Sequence, residues 1–403
     1  MTLLSLNVDG SKLYVSSYID QNTETLFEYT FANKKMGIIF HHETSDILKR
    51  IENPQTGIVV GVEVMPGYVE YHYVDRDDEF AVEHAKLAKT FSGSDIHVTS
   101  ITKNQKMMVV LVVSDKNAGD YYLYNKENKS ISYLLSKRSW IDPELMSERK
   151  PIQFKARDGE IIHGYLTLPR KANGTVPLVT YVHGGPYGIR DYWWFDSEAQ
   201  MLANNGYAVL QVNYRGSGGY GKKYEEIAYQ KRSTLIQHDI IDGTKWALSL
   251  AEITNNKACI MGGSFGGYSA LMSPLIEPDL FNCSIAHAGV YEAIEQEQDA
   301  DYSEISSFAA EAAEVYGAEE KLLKKESPLT YIDQLKIPVF IVHGGKDERV
   351  TPKQAYLLKE ALDERNMPYE WMFKEKEGHG FFNEDNQVEF YSRTLEFLKK
   401  HLH

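Results

Sequence analysis

The stretch that decides the fold reads Ala258-Cys259-Ile260-Met261-Gly262-Gly263-Ser264-Phe265-Gly266-Gly267-Tyr268. Its first four residues form an apolar run typical of a buried strand, the next residues fit the pattern G-x-S-x-G, and a helical pattern follows. A serine at a sharp strand-to-helix turn needs glycine neighbours, because chain segments approach closely there. The pattern therefore favours a nucleophilic Ser264 over the alternative, a glycine-rich turn with an exposed serine.

A nucleophilic serine needs a base, and the base needs an orienting acid, because a hydroxyl is a poor nucleophile at neutral pH. In α/β hydrolases the acid follows the serine along the chain and the histidine comes last. Asp347 follows the apolar run Val339–Val342, and His379 follows the last predicted strand. Both therefore fall at the carboxyl edge of a parallel sheet, where such folds bind ligands. We predict the triad Ser264, Asp347 and His379; His287 is a rival base, but it precedes Asp347.

The oxyanion of an acyl-transfer reaction needs two preorganised donors. We expect one from the backbone N–H of Phe265 and the other from the loop His183-Gly184-Gly185-Pro186, where Gly185 is preferred to Gly184. The alternative for this loop is a simple turn forced by Gly-Gly-Pro. A second glycine-rich stretch, residues 214–221, lacks the order of a phosphate-binding loop and is predicted to shape a substrate pocket.

The chain divides into an all-β part and an α/β part. Residues 1–140 contain short strand patterns that repeat about every 45–50 residues, as in propeller blades. We count about three such units and assign Phe80-Ala81-Val82 to the last strand of the second unit; an irregular β-sandwich is the alternative. Residues 141–152 are a predicted linker. Residues 153–403 alternate strand and helix patterns, and an acidic insertion at 292–330 is either a lid or a solvated helical excursion.

Composition excludes several functions. The net charge of −14 disfavours nucleic acid and anionic membranes as partners. The only cysteines, Cys259 and Cys283, lie in apolar runs and are predicted to be buried thiols, so neither a disulfide scaffold nor a zinc cluster is expected. We expect no metal and no other cofactor. No apolar run is long enough for a membrane span and no leader pattern opens the sequence, which predicts a cytoplasmic protein.

Five motifs occur together in the second part of the chain: His183-Gly184-Gly185-Pro186, Asn213-Tyr214-Arg215-Gly216-Ser217-Gly218-Gly219-Tyr220-Gly221, Gly262-Gly263-Ser264-Phe265-Gly266-Gly267-Tyr268, His343-Gly344-Gly345-Lys346-Asp347-Glu348-Arg349-Val350 and Gly378-His379-Gly380-Phe381. This set resembles the prolyl oligopeptidase family of serine peptidases, especially its acylaminoacyl-peptidase and dipeptidyl-peptidase-like branches. The resemblance implies an α/β-hydrolase catalytic domain and the same triad. It also implies a pocket formed by Tyr214, Tyr268 and Val350 around the residue before the scissile bond.

The family resemblance also implies a full N-terminal propeller, whereas about three blades are counted in this sequence. A closed propeller needs roughly 4–8 blades. Open strand edges should be covered by self-association, so a homo-oligomer is expected. The predicted function is a serine hydrolase that cleaves peptide or amide bonds of short peptides. The alternatives are a carboxylesterase for short-chain acyl esters with the same triad and a non-catalytic binding module that has kept the fold.

Overall fold

The computed structural model describes residues 1–7, 9–172, 174–299 and 313–403. The chain forms two compact units. The first comprises Met1–Pro151, Tyr192–Gln200 and Gly218–Lys223, and the second comprises Ile152–Asp191, Met201–Ser217 and Tyr224–His403. Two short segments from beyond residue 151 thus belong to the first unit, which a division into consecutive domains does not anticipate.

The first unit contains three antiparallel sheets that follow one another along the chain. The first sheet holds β1 (Thr2–Leu6), β2 (Lys12–Ser17), β3 (Thr25–Thr30) and β4 (Lys35–Phe40). The second holds β5 (Ile47–Glu52), β6 (Val59–Val64) and β7 (Glu70–Tyr73), and the third holds β8 (Asp95–Ile101), β9 (Met107–Val113), β10 (Asp120–Asn125) and β11 (Ile131–Ser136). The prediction of about three blade-like units is confirmed.

The assignment of Phe80–Val82 to a strand is wrong, because these residues begin helix α1 (Glu79–Thr90). Asp78 caps the helix: its side chain accepts hydrogen bonds from the backbone N–H groups of Phe80 and Ala81. Phe80, Ala81, His84 and Leu87 are buried, with the three- and four-residue spacing of one helix face. An acidic N-cap before this spacing was the sequence signal for a helix.

The core of the third sheet follows from strict alternation along β9. Met108, Val110 and Val112 are buried, while the residues between them are half-buried, because successive side chains of a strand point to opposite faces. Ile96 of β8 and Tyr124 of β10 complete the same apolar cluster.

The second unit is built on a mixed eight-stranded sheet with the order β12-β13-β15-β14-β16-β17-β18-β19. The strands are β12 (Arg149–Lys155), β13 (Ile161–Thr167), β14 (Val176–Val182), β15 (Ala208–Asn213), β16 (Ile253–Gly263), β17 (Cys283–His287), β18 (Val339–Gly344) and β19 (Tyr369–Lys374). β13 pairs antiparallel with β15, and the pairs from β15 through β19 are parallel. The predicted α/β-hydrolase fold preceded by an all-β part is confirmed.

The helices that follow α1 are α2 (Ser197–Asn204), α3 (Lys222–Glu226), α4 (Gln237–Leu248), α5 (Phe265–Ile276), α6 (Ala293–Asp299), α7 (Glu320–Lys325), α8 (Pro352–Glu364) and α9 (Glu384–Leu402). Short 3-10 turns cover Pro143–Leu145 and Pro328–Gln334, and a π-helical turn covers Arg232–Ile236. The predicted insertion at 292–330 is therefore partly helical, but its residues 300–312 lie outside the described residues. No helix in the described ranges is long and apolar enough to cross a membrane.

Two inner strands of the sheet, β15 and β18, are buried along their whole length. Every residue of β15 and β18 is buried, as expected where helices cover both faces of a parallel sheet. Cys259 of β16 and Cys283 of β17 are direct partners in the parallel register, with Cα atoms 4.8 Å apart. They form a disulfide, so the prediction of two free thiols is wrong. No pattern in the sequence indicated that these two cysteines would be partners in the register.

Candidate active site

Ser264 lies at the turn between β16 and α5, as predicted. Its backbone has φ 57° and ψ −119°, a combination that costs a non-glycine residue conformational energy and marks functional turns. Two hydrogen bonds hold the turn: Ser264 N–H donates to His287 O (2.9 Å), and Tyr268 N–H donates to Ser264 O (3.0 Å). The strain is therefore supported by the neighbouring strand β17 and by the first turn of α5.

The glycines around Ser264 allow close packing of backbones. A Cβ on Gly262 would lie 2.6 Å from Val182 O and from two backbone atoms of Gly266. A Cβ on Gly263 would meet nothing closer than His287 Nδ1, at 3.9 Å. The strand β14, the end of β16 and the start of α5 thus meet at Gly262, which places the turn firmly against the sheet.

Asp347 and His379 form a hydrogen-bonded pair, with Nδ1 and Oδ2 2.8 Å apart. The Asp347 side chain is fully buried, and its other oxygen accepts the backbone N–H groups of Arg349 (3.0 Å) and Val350 (2.9 Å). The His379 side chain keeps 33% of its surface exposed. In the described ranges, no hydrogen bond occupies His379 Nε2 or Ser264 Oγ. The arrangement can orient an imidazole and stabilise its positive charge.

The loop that carries His379 is anchored by Glu377. This carboxylate accepts hydrogen bonds from Phe382 N–H (2.8 Å), Asn383 N–H (3.1 Å) and Asn386 Nδ2 (2.6 Å). The Asn386 side-chain bond, then the backbone bonds, lower the pKa of Glu377, so it is ionised at neutral pH. Because the ionised Glu377 accepts three hydrogen bonds, it fixes the loop between β19 and α9. The backbone on both sides of His379 is thereby held in place.

The other histidines near Asp347 are buried and neutral. Burial lowers the pKa of His287 to about 4, and its ring packs against Phe381 and Phe390. Burial also lowers the pKa of His343, whose Nε2 donates to Val350 O (2.9 Å) and lies 3.4 Å from Asp347 Oδ2. His379 has one nitrogen on Asp347 and an exposed face, and neither His287 nor His343 combines these two features.

Both predicted oxyanion residues line one cavity with Ser264. The cavity has a volume of about 140 Å³, and Gly185, Ser264 and Phe265 form part of its wall. Gly184 packs behind them, since a Cβ on it would lie 3.6 Å from Ser264 Cβ. Phe265 is the first residue of α5, where backbone N–H groups have no partner within the helix and the helix dipole favours negative charge.

Two of the three predicted pocket residues, Tyr268 and Val350, line the same cavity, and Tyr214 does not. Tyr214 is fully buried and stacks on His183, with ring centroids 4.3 Å apart. Its hydroxyl lies 3.3 Å from the carbonyl oxygens of His183 and Gly184. Tyr214 therefore contacts and supports the Gly184-Gly185 loop and does not form part of the cavity wall.

A buried ion pair at this cavity was not predicted from the sequence. Arg232 Nε donates to Glu326 Oε2 (2.6 Å), and Arg232 N–H donates to Glu326 Oε1 (3.1 Å); both residues line the cavity. Gln296 and Tyr316 line it as well, so described parts of the insertion reach the site. No motif links Arg232 to Glu326, because 94 residues separate them.

A second missed contact anchors the loop at residues 214–221. Arg215 makes a bidentate pair with Asp239, with Nε–Oδ2 2.9 Å and Nη2–Oδ1 2.6 Å, and Nη1 donates to Asp158 (2.6 Å). The backbone N–H of Arg215 also donates to Asp239 (2.9 Å). The Arg215 guanidinium therefore ties this loop to α4 and to the turn between β12 and β13.

The first unit holds one acidic and histidine cluster within the described ranges. Potential ligand atoms of Glu63, Asp95 and His97 lie within 4.8 Å of one another. Asp95 already accepts hydrogen bonds from Tyr71 (2.7 Å) and the Trp194 indole (2.7 Å) and lies 3.0 Å from His97. The Lys49 ammonium lies 3.8 Å from Glu63, so a protein cation is already present. Protein groups thus already contact Asp95 and Glu63, and we assign no metal to the cluster.

Comparison with known proteins finds relatives among peptidases. Residues 193–403 match the profile described as the prolyl oligopeptidase family. The chain is 31% identical to dipeptidyl aminopeptidase BIII of Pseudoxanthomonas mexicana, over 98% of this chain and 58% of that protein. It is 28% identical to dipeptidyl peptidase family member 6 of Caenorhabditis elegans, over 77% of this chain and 45% of that protein. The chain thus spans about half the length of these relatives.

Solved structures show the same fold at low sequence identity. A puromycin-hydrolyzing peptidase of Mycobacterium tuberculosis superposes with a TM-score of 0.78 at 19% identity, over 100% of this chain and 61% of that one. An acylaminoacyl peptidase of Pyrococcus horikoshii gives a TM-score of 0.71 at 20% identity, over 98% and 62%. Both cover nearly the whole of this chain, including its β-rich part.

Proposed function

The chain belongs to the prolyl oligopeptidase family, and on that basis we propose that it is a serine hydrolase that cleaves peptide or amide bonds of short peptides. The single observation that carries the proposal is the Asp347–His379 hydrogen bond of 2.8 Å. The proposal also uses Ser264, which lies in the strained turn between β16 and α5 and lines a cavity together with two candidate oxyanion residues.

The chemistry follows from these groups. Ser264 Oγ attacks the carbonyl carbon while His379 Nε2 accepts its proton, and Asp347 holds the tautomer and stabilises the imidazolium. The negative oxygen of the tetrahedral intermediate is received by the N–H groups of Gly185 and Phe265. His379 then gives its proton to the departing amine, which leaves an acyl ester on Ser264. A water molecule, deprotonated by His379, hydrolyses this ester and restores the serine.

The hydrogen bond between Ser264 and His379 is the contact that must form for this reaction. Catalytic hydrogen bonds are often long without substrate and tighten in the complex. Asp347 leaves His379 one nitrogen for this contact, and the exposed third of the ring gives it room to adjust. We expect Ser264 Oγ and His379 Nε2 to approach each other when a substrate binds at the cavity.

The alternative is a carboxylesterase for short acyl esters with the same residues. The first unit has three sheets, fewer than the roughly four to eight of a closed propeller. Fewer remote contacts would lower catalysis on extended peptides. Ester leaving groups depart without the protonation that an amine requires, so the rate of ester hydrolysis would fall less than that of amide hydrolysis.

A substrate panel tests the proposal. Aminoacyl arylamides, N-blocked peptides and p-nitrophenyl esters of short acids are compared by kcat/KM. We expect hydrolysis of the amides, and its loss in Ser264→Ala but not in Ser249→Ala, which alters an exposed serine at the end of α4. Ester turnover with no measurable amide turnover would favour the carboxylesterase. Activity that survives in Ser264→Ala would refute the assignment of the nucleophile.

A further inference from the structure

The cavity beside Ser264 has a charged pair in its wall. Arg232 and Glu326 line it, and the guanidinium also lies 5.0 Å from the ring of Tyr316. Both oxygens of Glu326 accept hydrogen bonds from Arg232, one from its backbone N–H and one from Nε. The charges of the two side chains thus balance each other, and the carboxylate has its partners.

Two residues that line this cavity each carry a polar group without a hydrogen-bond partner among the described residues. Arg232 Nη2 and the hydroxyl of Tyr268 are buried, and neither makes a hydrogen bond within the described ranges. The Arg232 side chain is 11% exposed and Tyr268 is 4% exposed. Buried donors without partners are rare and unfavourable in native proteins, because they lose their water without replacement. A site that binds a ligand is a physical reason to keep them.

We propose that these two groups bind the end of the substrate side chain that precedes the scissile bond, and that the preferred residue there is glutamine or asparagine. This inference rests on the proposed function. A side-chain carbonyl oxygen would accept from Arg232 and from the hydroxyl of Tyr268. The Tyr268 oxygen can in turn accept from the amide NH₂ of the same side chain.

Charge and size select among side chains. Because Glu326 already neutralises Arg232, a substrate carboxylate would add an unbalanced negative charge beside Glu326, whereas an amide adds none. A lysine or arginine would meet the guanidinium. An apolar side chain would fill the space and leave both donors unpaired. The volume of about 140 Å³ is roughly that of four or five waters, which suits a side chain of middle length.

Matched arylamides that differ only in the residue before the scissile bond test this preference. Gln, Glu, Met and Lys are compared by kcat/KM, since Met has a length similar to Gln but lacks the amide. We expect Gln to exceed Met by about tenfold or more, the value of a hydrogen bond to a charged donor. Glu and Lys should fall below Gln. A preference for Met or for Glu over Gln would overturn the proposal.

Two variants link the preference to these residues. Tyr268→Phe removes one hydroxyl and keeps the ring. The double variant Arg232→Met, Glu326→Leu removes the pair together, so that no lone charge stays buried. The Gln-to-Met ratio of kcat/KM should fall toward one in both, with unfolding followed by circular dichroism. If the double variant does not fold, Tyr268→Phe decides, and an unchanged ratio there would overturn the proposal.

The proposed function and the preference for glutamine or asparagine are refuted by different results. If no arylamide is cleaved and a fluorophosphonate does not label Ser264, the proposed function fails and this inference falls with it. If arylamides are cleaved with an apolar preference, the proposed function stands and only the assignment of Arg232 and Tyr268 fails.

Discussion

Replacing Gly262 by alanine perturbs the turn at its most crowded point. The new Cβ would lie 2.6 Å from three backbone atoms, of Val182 and Gly266, whereas ordinary van der Waals contact begins at 3.4 Å. The backbones must therefore separate by about 0.8 Å, and such overpacking costs about 1–3 kcal/mol of unfolding free energy. Because a misplacement of about 1 Å can cost roughly 100-fold in rate, we expect kcat/KM to fall by about that factor.

Gly263→Ala is the matched control. It adds the same methyl group one residue later, where the nearest atom is His287 Nδ1 at 3.9 Å. Urea denaturation gives the unfolding free energy, and initial rates on one p-nitrophenyl ester give kcat/KM. The unfolding free energy of Gly263→Ala should stay near that of the wild-type protein, whereas that of Gly262→Ala should be lower. Equal stability and equal rates for the two variants would refute the packing described for the turn.

Asp347→Asn should lower kcat/KM by roughly 10³–10⁴-fold with little change in melting temperature, because the wrong imidazole tautomer is favoured; a near-normal rate would contradict the Asp347–His379 pair. Burial, and then the charge of Asp95, raise the pKa of Glu63 to about 8, so the folded protein holds a proton that the unfolded chain loses near pH 4.5. The contribution of Glu63 to stability should fall as pH rises from about 4.5 to 8, and calorimetry should find Glu63→Gln stabilising at pH 8 but not at pH 4. The edge strands β1 and β4 expose apolar side chains (Leu3, Leu6, Met36 and Ile38), so we predict a homo-oligomer; light scattering that finds a monodisperse monomer at micromolar concentration would contradict this.

The parts of the site that sequence reasoning reaches are those with a local signature. Ser264 can be identified from its flanking glycines, the apolar strand before it and the helix after it. Asp347 and His379 could be chosen because each follows a predicted strand of a parallel sheet, and the ends of such strands meet at one edge. The structure brings Asp347 and His379 into contact, while their roles with Ser264 remain a prediction.

The parts that sequence reasoning misses depend on contacts between distant residues. The pairing of Arg232 with Glu326 joins a π-helical turn to the insertion, and neither residue belongs to a motif. The disulfide depends on the register of β16 against β17, which the spacing of two cysteines does not reveal. The wrong strand assignment at Phe80 has a different cause. The short apolar run there fits a strand, but the N-cap at Asp78 outweighs that pattern.

The most direct test of the central claim, that Ser264 is activated by His379, is the rate of covalent labelling by a fluorophosphonate probe. We predict one adduct, located on Ser264 by peptide mass spectrometry. A general base contributes roughly 10²–10⁴-fold, so labelling of His379→Ala should be slower by a factor in that range. Labelling of His379→Ala at the wild-type rate, or an adduct on another residue, would contradict the account.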